Sequence, residues 1–277
     1  MNTSKSLVSI IMLSRNKGQF LEASVRSVMS QTYKNWELLI VDDASHDDTI
    51  YLLMKLKTED RRRTGKWHGR TLMDDGTLSD RINITKTVES RGETNNRNSA
   101  LREAKGKWIA FLDAGDIWEP TKLEKQVAFM EEHGYAFSYT MFNSIDAEHR
   151  DLGHVMTGPE CISHKDMMKC CWMGYLTVMY DAEEIGMLQV EGLDEANDYA
   201  LWLQVAWKVD CHLLPECLAS QMSEKGLCHR LLMSSKWNWR YWTYRKIERM
   251  NPFAAMYMTV RNLVYTAWKW WKYREKV

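Results

Sequence analysis

The sequence predicts an α/β fold: a mostly parallel sheet flanked by helices, followed by a helical C-terminal extension. Three observations carry this. Over the first 133 residues, short β-branched apolar runs alternate with apolar positions at helical spacing, the pattern of a doubly wound sheet. Two of those runs end in carboxylates, Asp42-Asp43 and Asp113-Ala114-Gly115-Asp116. Beyond residue 230 the chain turns basic and rich in Trp, with helical patterning to its end apart from a break at Asn251-Pro252.

The elements follow in order. Leu7–Leu13 reads as a buried parallel strand, with Ser14–Gly18 as the turn after it. Phe20, Leu21, Ala23, Val25, Val28 and Met29 fit one helix face. Trp36–Val41 is the next strand, and Asp47-Asp48-Thr49 opens a helix to about Lys57, as the helix dipole favours. Residues 58–93 are polar and irregular, with one strand near Ile82–Val88. A helix at Thr94–Ala104, a strand at Lys107–Leu112 and a helix at about 120–133 complete the first half. In the second half, Tyr135–Thr140 and Leu176–Tyr180 read as strands, and His164–Cys171 and Glu195–Lys208 as helices.

The chain has 277 residues, is 45% hydrophobic and 27% charged, and carries no net charge. That composition excludes a disordered chain and fits one large domain with an appendage. The expected division is a catalytic domain over 1–229, split into a nucleotide-binding half at 1–118 and an acceptor half at 119–229, and an extension at 230–277. The six Cys show no metal-site spacing and read as free thiols of a reducing compartment. No run is long enough for a secretory signal or a membrane span, so a cytoplasmic protein is expected. Charge is segregated. From Lys236 onward ten basic residues face two acidic ones, a net of +8, which leaves −8 on the rest. Six of the 13 Trp also lie there. A basic segment with aromatic belts suits an anionic membrane surface, touched through 236–277. Nucleic acid is not expected as a partner, because the remaining chain is acidic and has no recognition motif.

The chemistry is expected at the carboxylates. Strand ends at the C-terminal sheet edge are where ligands bind in open α/β sheets. Paired hard oxygens suit Mg²⁺ or Mn²⁺, and such ions bridge diphosphates. Asp113 and Asp116 are therefore the metal candidates, with a plain strand-to-helix turn as the alternative.

Four blocks occur in a distinctive order: Val8-Ser9-Ile10-Ile11; Gln31–Ser45, which includes Trp36–Val41 and Asp42-Asp43; Asn96–Ala100 before Ala104-Lys105-Gly106; and Phe111–Pro120. Together they resemble family 2 glycosyltransferases, and the likeness returns at Asn197-Asp198-Tyr199-Ala200-Leu201-Trp202. The arrangement resembles bacterial enzymes of capsular and exopolysaccharide assembly. The resemblance implies a GT-A fold, a nucleotide-sugar donor such as a UDP-sugar, a saccharide or lipid-linked acceptor, and inversion at the anomeric carbon. By the same resemblance Asp43 contacts the nucleobase, Ser14 and Arg15 lie at base and ribose, and Arg97 and Asp113 approach the nucleotide. Asp198 is the implied general base, with Asn197 and Trp202 on the acceptor side; Asp194 and Glu195 are weaker candidates. For Arg97 a surface helix charge, and for Trp202 a plain core position, remain open.

Two departures stand out. The family's Asp-x-Asp-Asp has Gly115 at its third position, which touches the metal in relatives, and Asn197 stands where a Glu precedes the base. Gly115 keeps open a sugar-nucleotide-binding or scaffold protein with weak catalysis. A nucleotidyltransferase would need an early Gly-rich triphosphate loop, which Ser14–Gly18 does not supply. The Gln-x-x-Arg-Trp motif of processive synthases is missing, so transfer of a single sugar is expected.

Overall fold

The structure is a computed structural model that describes residues 6–63, 71–72, 78–79, 81–190, 198–223 and 237–276. Its strands are β1 (Val8–Ser14), β2 (Trp36–Asp42), β3 (Thr71–Leu72), β4 (Leu78–Ser79), β5 (Ile82–Lys86), β6 (Trp108–Phe111), β7 (Ile117–Trp118), β8 (Phe137–Ile145), β9 (Asp151–Met156), β10 (Cys161–Ile162), β11 (Met179–Asp181), β12 (Cys211–Met222) and β13 (Arg274–Lys276). The helices are α1 (Gly18–Met29), α2 (Thr49–Arg63), α3 (Glu93–Glu103), α4 (Lys122–His133), α5 (His164–Met167), α6 (Ala182–Ile185), α7 (Asp198–Ala206), α8 (Trp237–Lys246) and α9 (Pro252–Lys272).

The main sheet runs β10-β12-β8-β11-β6-β1-β2-β5. Strands β6, β1, β2 and β5 are parallel, and β11 joins them antiparallel to the second half. The register sets the site: Ser14 lies opposite Asp42, and Ile11 opposite Phe111. The exits of β1, β2 and β6 therefore meet at one sheet edge.

β1 and β2 are apolar without alternation because both faces are covered. Val8, Ile10, Met12, Leu38 and Ile40 pack with Leu21, Val25 and Val28 of α1 and Leu53 and Leu56 of α2. Ile11, Leu39 and Val41 point the other way, into a core with Ala100, Leu101, Phe111 and Trp202.

Several motif residues turn out to hold the fold. Buried Glu37 accepts from the Ser9 hydroxyl at 2.5 Å and the Lys105 amide at 2.8 Å, and the Gly106 amide donates to Ser9 Oγ. A Cβ on Gly106 would run into the β1 backbone, so Ala104-Lys105-Gly106 is a close crossing over β1. Gln31 is fully buried. Its amide donates to the Glu119 carbonyl and accepts from the Leu123 amide, tying α1 to the Phe111–Pro120 block.

The second half departs from the sequence expectations. His164–Cys171 holds only one helical turn, α5, started by a Ser163–Asp166 capping box. The expected strand at Leu176–Tyr180 begins as a 3-10 turn, Tyr175–Thr177, with strand only from Met179. Thr177 explains this: both its amide and its hydroxyl donate to the Gly174 carbonyl. The 12-residue β12 was not legible because Pro215-Glu216 interrupts the period of two; the register with β8 shifts between Leu214 and Cys217. The tail is not helical to its end, because β13 pairs with β9. Pro252 starts a helix, capped by Asn251 Oδ1 accepting from the Ala254 amide. Tyr244, Ala255 and Met258 share the core of Trp202, so the described part of the extension packs on the sheet.

Candidate active site

The exits of β1, β2 and β6 open into a cleft of about 450 Å³, within the size range of small-ligand sites. Ser14, Arg15, Asp43, Arg97 and Asp113 line it, joined by Lys17, Gly92, Glu93 and Asn96. The five nucleotide-side candidates thus come together. A second cleft of about 610 Å³, walled by Trp172, Tyr265, Trp268 and Tyr273, contains none of them.

Asp43 follows β2 and is held from several sides. Its amide donates to the Ser14 carbonyl at 2.9 Å. Its carboxylate accepts from the Ser90 hydroxyl at 2.7 Å and the Arg91 amide at 2.8 Å, and Arg15 Nη1 lies 3.5 Å away. Burial pushes this carboxyl up, but the Ser90 and Arg91 donors and the Arg15 charge outweigh it and hold the group below the usual carboxylate range. Asp42 is fully buried and accepts from the Ser45 amide and hydroxyl, which is a structural role. Ser14 Oγ is buried with no hydrogen-bond partner among the described residues. Arg15 is more than half exposed and donates to Ser90 Oγ.

Arg97 is not a surface charge. It sits on α3 at 3% exposure and reaches into the cleft. Its Nε donates to the Tyr175 hydroxyl at 3.1 Å, and its Nη2 lies 2.7 Å from Asp198 Oδ1. Nη1 has no hydrogen-bond partner among the described residues. Burial opposes its charge, but Tyr175, Asp198 and Asp113 reinforce it. Asp198 opens α7 with its side chain about one-third exposed, so it faces both Arg97 and solvent.

At the β6 exit, burial drives the Asp113 carboxyl well above its usual range, and Asp198 and Asp116 add to the effect while Arg97 opposes it. Asp116 is 8% exposed and accepts from the Met222 amide at 2.9 Å. Between them, Gly115 has φ +111°, and its amide donates to Ser24 Oγ. A Cβ built there would overlap the Met222 methyl group. Backbone conformation and the Met222 contact thus account for a glycine at this position.

The donor set fits a divalent cation bound with its substrate. No group of three or more His, Cys, Asp or Glu is placed to hold a metal ion by itself among the described residues. Mg²⁺ needs only one or two protein carboxylates when phosphates and water complete its shell. Asp113 is a carboxyl crowded by two others, and a cation beside it would remove that repulsion.

On the acceptor side, Trp202 is fully buried and packs against Phe111 with ring centroids 5.2 Å apart. Trp202 thus occupies a core position, packed behind the β6 exit. Asn197, Asp194 and Glu195 lie outside the described residues. Tyr175, Ser90 and Arg91 were missed from sequence. Their partners are 78, 47 and 48 residues away, so no local spacing marks them.

The sequence model described as Glycosyl transferase family 2 matches residues 9–170. Among curated proteins, the Putative teichuronic acid biosynthesis glycosyltransferase TuaG of Bacillus subtilis is 33% identical over 93% of this chain and 94% of its own length. The UDP-Glc:alpha-D-GlcNAc-diphosphoundecaprenol beta-1,3-glucosyltransferase WfgD of Escherichia coli is 28% identical over 93% and 92%. Among solved structures, S. aureus TarS 1-349 in complex with UDP-GlcNAc aligns at TM-score 0.62 and 16% identity, over 91% of this chain and 70% of that one. Mannosyltransferase PcManGT from Pyrobaculum calidifontis, in complex with GDP-Man and Mn2+, aligns at TM-score 0.62 and 14% identity, over 96% and 72%.

Proposed function

The chain belongs to glycosyl transferase family 2, an enzyme family with the GT-A fold, and on that premise we propose that it transfers one sugar, with inversion, from a UDP-sugar to a lipid-linked saccharide during cell-surface polysaccharide assembly. The observation that carries this is the pairing of Arg97 with Asp198 beside a cleft floored by Asp43 and Asp113. One ionic contact joins the nucleotide side to a half-open carboxylate.

Asp43 accepts from the ring N–H of uracil, its orientation held by Ser90 and Arg91. Ser14 and Arg15 flank base and ribose. The Nη1 of Arg97, without a hydrogen-bond partner among the described residues, is positioned to donate to the diphosphate. Asp113 and Asp116 would hold Mg²⁺ or Mn²⁺, which neutralises charge on the leaving diphosphate. Asp198 takes the proton of the acceptor hydroxyl as its oxygen bonds to the anomeric carbon. The carbon–oxygen bond to phosphate breaks on the opposite face and UDP departs, which inverts the configuration.

Relatives support the donor and acceptor classes: WfgD is named for a UDP-glucose donor and a diphosphoundecaprenol-linked acceptor. A lipid-linked acceptor met by a cytoplasmic UDP-sugar would put the reaction at the inner face of the plasma membrane. The test is a panel of UDP-sugars with Mn²⁺ and a diphosphoprenyl-linked N-acetylglucosamine acceptor. Acceptor-dependent UDP release and a product of inverted anomeric configuration are expected. Tight UDP-sugar binding without release would favour the binding or scaffold reading.

A further inference from the structure

Helix α9 buries a mixed face, with Ala255 and Met258 in the core beside three polar residues. The residues it buries include Thr259, Asn262 and Lys269. These inward polar groups are partnered: Asn262 accepts from Arg240 Nε at 2.9 Å and donates to the Tyr244 hydroxyl at 3.1 Å, and Lys269 Nζ donates to the Cys171 carbonyl at 3.0 Å. The helix therefore cannot roll over to bury its other face. That other face is apolar and exposed, with Phe253, Tyr257, Val260, Val264, Trp268 and Trp271 outward. Their spacing of three and four residues draws one stripe about 27 Å long. The largest are well out in solvent: Phe253 at 89% and Trp271 at 80% exposure.

Charge selects what covers the stripe. The segment from Lys236 carries a net +8, and the residues before it −8. One of its two acids, Glu248, is engaged by His164 at 3.0 Å and Trp207 Nε1 at 3.2 Å. Exposed Lys246 and Lys272 lie over the exposed rings of Trp242 and Trp268, 5.6 and 4.7 Å from the ring centroids. A second copy docked through the same face would set the exposed Lys246 and Lys272 of one copy against those of the other. A polyanionic strand would answer the charge but leave the aliphatic stripe in water. An anionic lipid surface answers both.

We propose that the outer face of α9 docks on an anionic phospholipid bilayer. The helix lies along the surface, its stripe at the boundary of headgroups and acyl chains, with Lys246 and Lys272 against lipid phosphates. No helix among the described residues is long and apolar enough to cross a membrane. The docking is independent of the sugar-transfer reading and does not require it.

The test uses the full chain with vesicles of phosphatidylcholine, with and without phosphatidylglycerol. Co-sedimentation and a blue shift of Trp emission are expected with the anionic vesicles and are expected to weaken with salt. Val260→Asp/Val264→Asp alters only exposed positions. It is expected to keep the helical circular dichroism and lose roughly tenfold or more in vesicle partitioning. Lys246→Glu/Lys272→Glu is expected to weaken binding to the anionic vesicles alone. Wild-type protein that ignores anionic vesicles overturns the proposal, as does a Val260→Asp/Val264→Asp variant that binds like wild type. A wild-type dimer that this variant dissociates assigns the face to a second copy and also overturns it. UDP release on the diphosphoprenyl-linked acceptor dispersed in neutral detergent, assayed without vesicles, is expected to persist in both variants. Vesicle binding without any UDP release would sink the transfer reading and leave the docking intact.

Discussion

Arg97 and Asp198 form an ion pair of 2.7 Å between a guanidinium that is 3% exposed and a carboxylate that is about one-third exposed. The cation is fixed by Tyr175 and the anion can still meet an acceptor. This geometry separates two roles that mutation can resolve. Asp198→Asn keeps a hydrogen-bonding side chain beside Arg97 but removes the proton acceptor. It is expected to lower kcat by roughly 10²–10⁴ with donor affinity preserved. Arg97→Lys loses the forked geometry at a buried site, so donor affinity and kcat are expected to fall together. Calorimetric UDP titration beside steady-state rates checks both, and unchanged transfer by Asp198→Asn would remove it as the base.

Uridine, which lacks phosphate, isolates the role of Asp43. The folded-state carboxyl is held below its usual range by Ser90 and Arg91 despite its burial. Such a group stabilises the fold above the unfolded-state pKa, and the contribution is lost as pH falls through the depressed folded value. Uridine affinity is therefore expected to stay flat from about pH 7 to 5, below which ordinary carboxylates titrate. Asp43→Ala is expected to lose about 1.5–3 kcal/mol of uridine binding, the worth of a hydrogen bond to a charged group. A steep loss between pH 7 and 5 in the wild type would contradict an ionised Asp43.

Asp113 is strained in the opposite direction. Burial and the Asp198 and Asp116 charges raise its pKa, so the folded state holds more protons than the unfolded one above the unfolded value. Stability from this group is then lost as pH rises through the window up to the folded pKa. Asp113→Asn is expected to abolish transfer and yet raise Tm of the ligand-free protein at neutral pH. Mn²⁺ with UDP is expected to raise Tm of the wild type much more than that of the variant. Equal thermal shifts in the two proteins would exclude Asp113 from the cation.

Lys122 makes a prediction remote from the site. It is fully buried over the Trp118 ring, with its Nζ 3.8 Å from the ring centroid and no hydrogen-bond partner among the described residues. Burial lowers its pKa well below the usual value. Met at this position keeps the length and drops the unsatisfied nitrogen. Lys122→Met is expected to stabilise the fold by about 1–3 kcal/mol, read as a higher midpoint in urea with an unchanged slope. A lower midpoint would mean that the ammonium–ring contact outweighs desolvation.

The parallel half was legible because burial on both faces leaves an unbroken apolar run, as in Val8–Leu13 and Trp36–Val41. Asp43 and Asp113 were legible because strand ends mark the ligand edge. Arg97 was found as a residue, but its burial was not, since α3 reads as polar while Tyr175 and Asp198 that enclose it come from later in the chain. β12 was hidden by Pro215 and its register shift, and the 3-10 turn by the Thr177–Gly174 bonds. Glu37 and Gln31 belong to motifs that suggested function, yet their contacts brace the sheet and the α1–α4 junction. Local pattern thus located the strand ends, while contacts between distant segments decided what each side chain does.

Gly115 gives the sharpest test, because the family pattern invites Gly115→Asp as a repair of the metal site. The structure predicts failure. At φ +111° an L side chain is strained, and its Cβ would overlap the Met222 methyl group. The same turn carries Asp113 and Asp116, with Asp116 fixed by the Met222 amide. Strain of about 1–3 kcal/mol is expected, relieved in part by displacing Met222 and with it the Asp116 contact. Gly115→Asp is therefore expected to lower the urea midpoint and to bind Mn²⁺–UDP no tighter than wild type by calorimetry. Gly115→Ala/Met222→Ala is expected to recover part of the stability lost by Gly115→Ala, since one of the two penalties is gone. If Gly115→Asp instead tightened Mn²⁺–UDP binding at unchanged stability, the glycine would be a lost ligand rather than a demand of the turn.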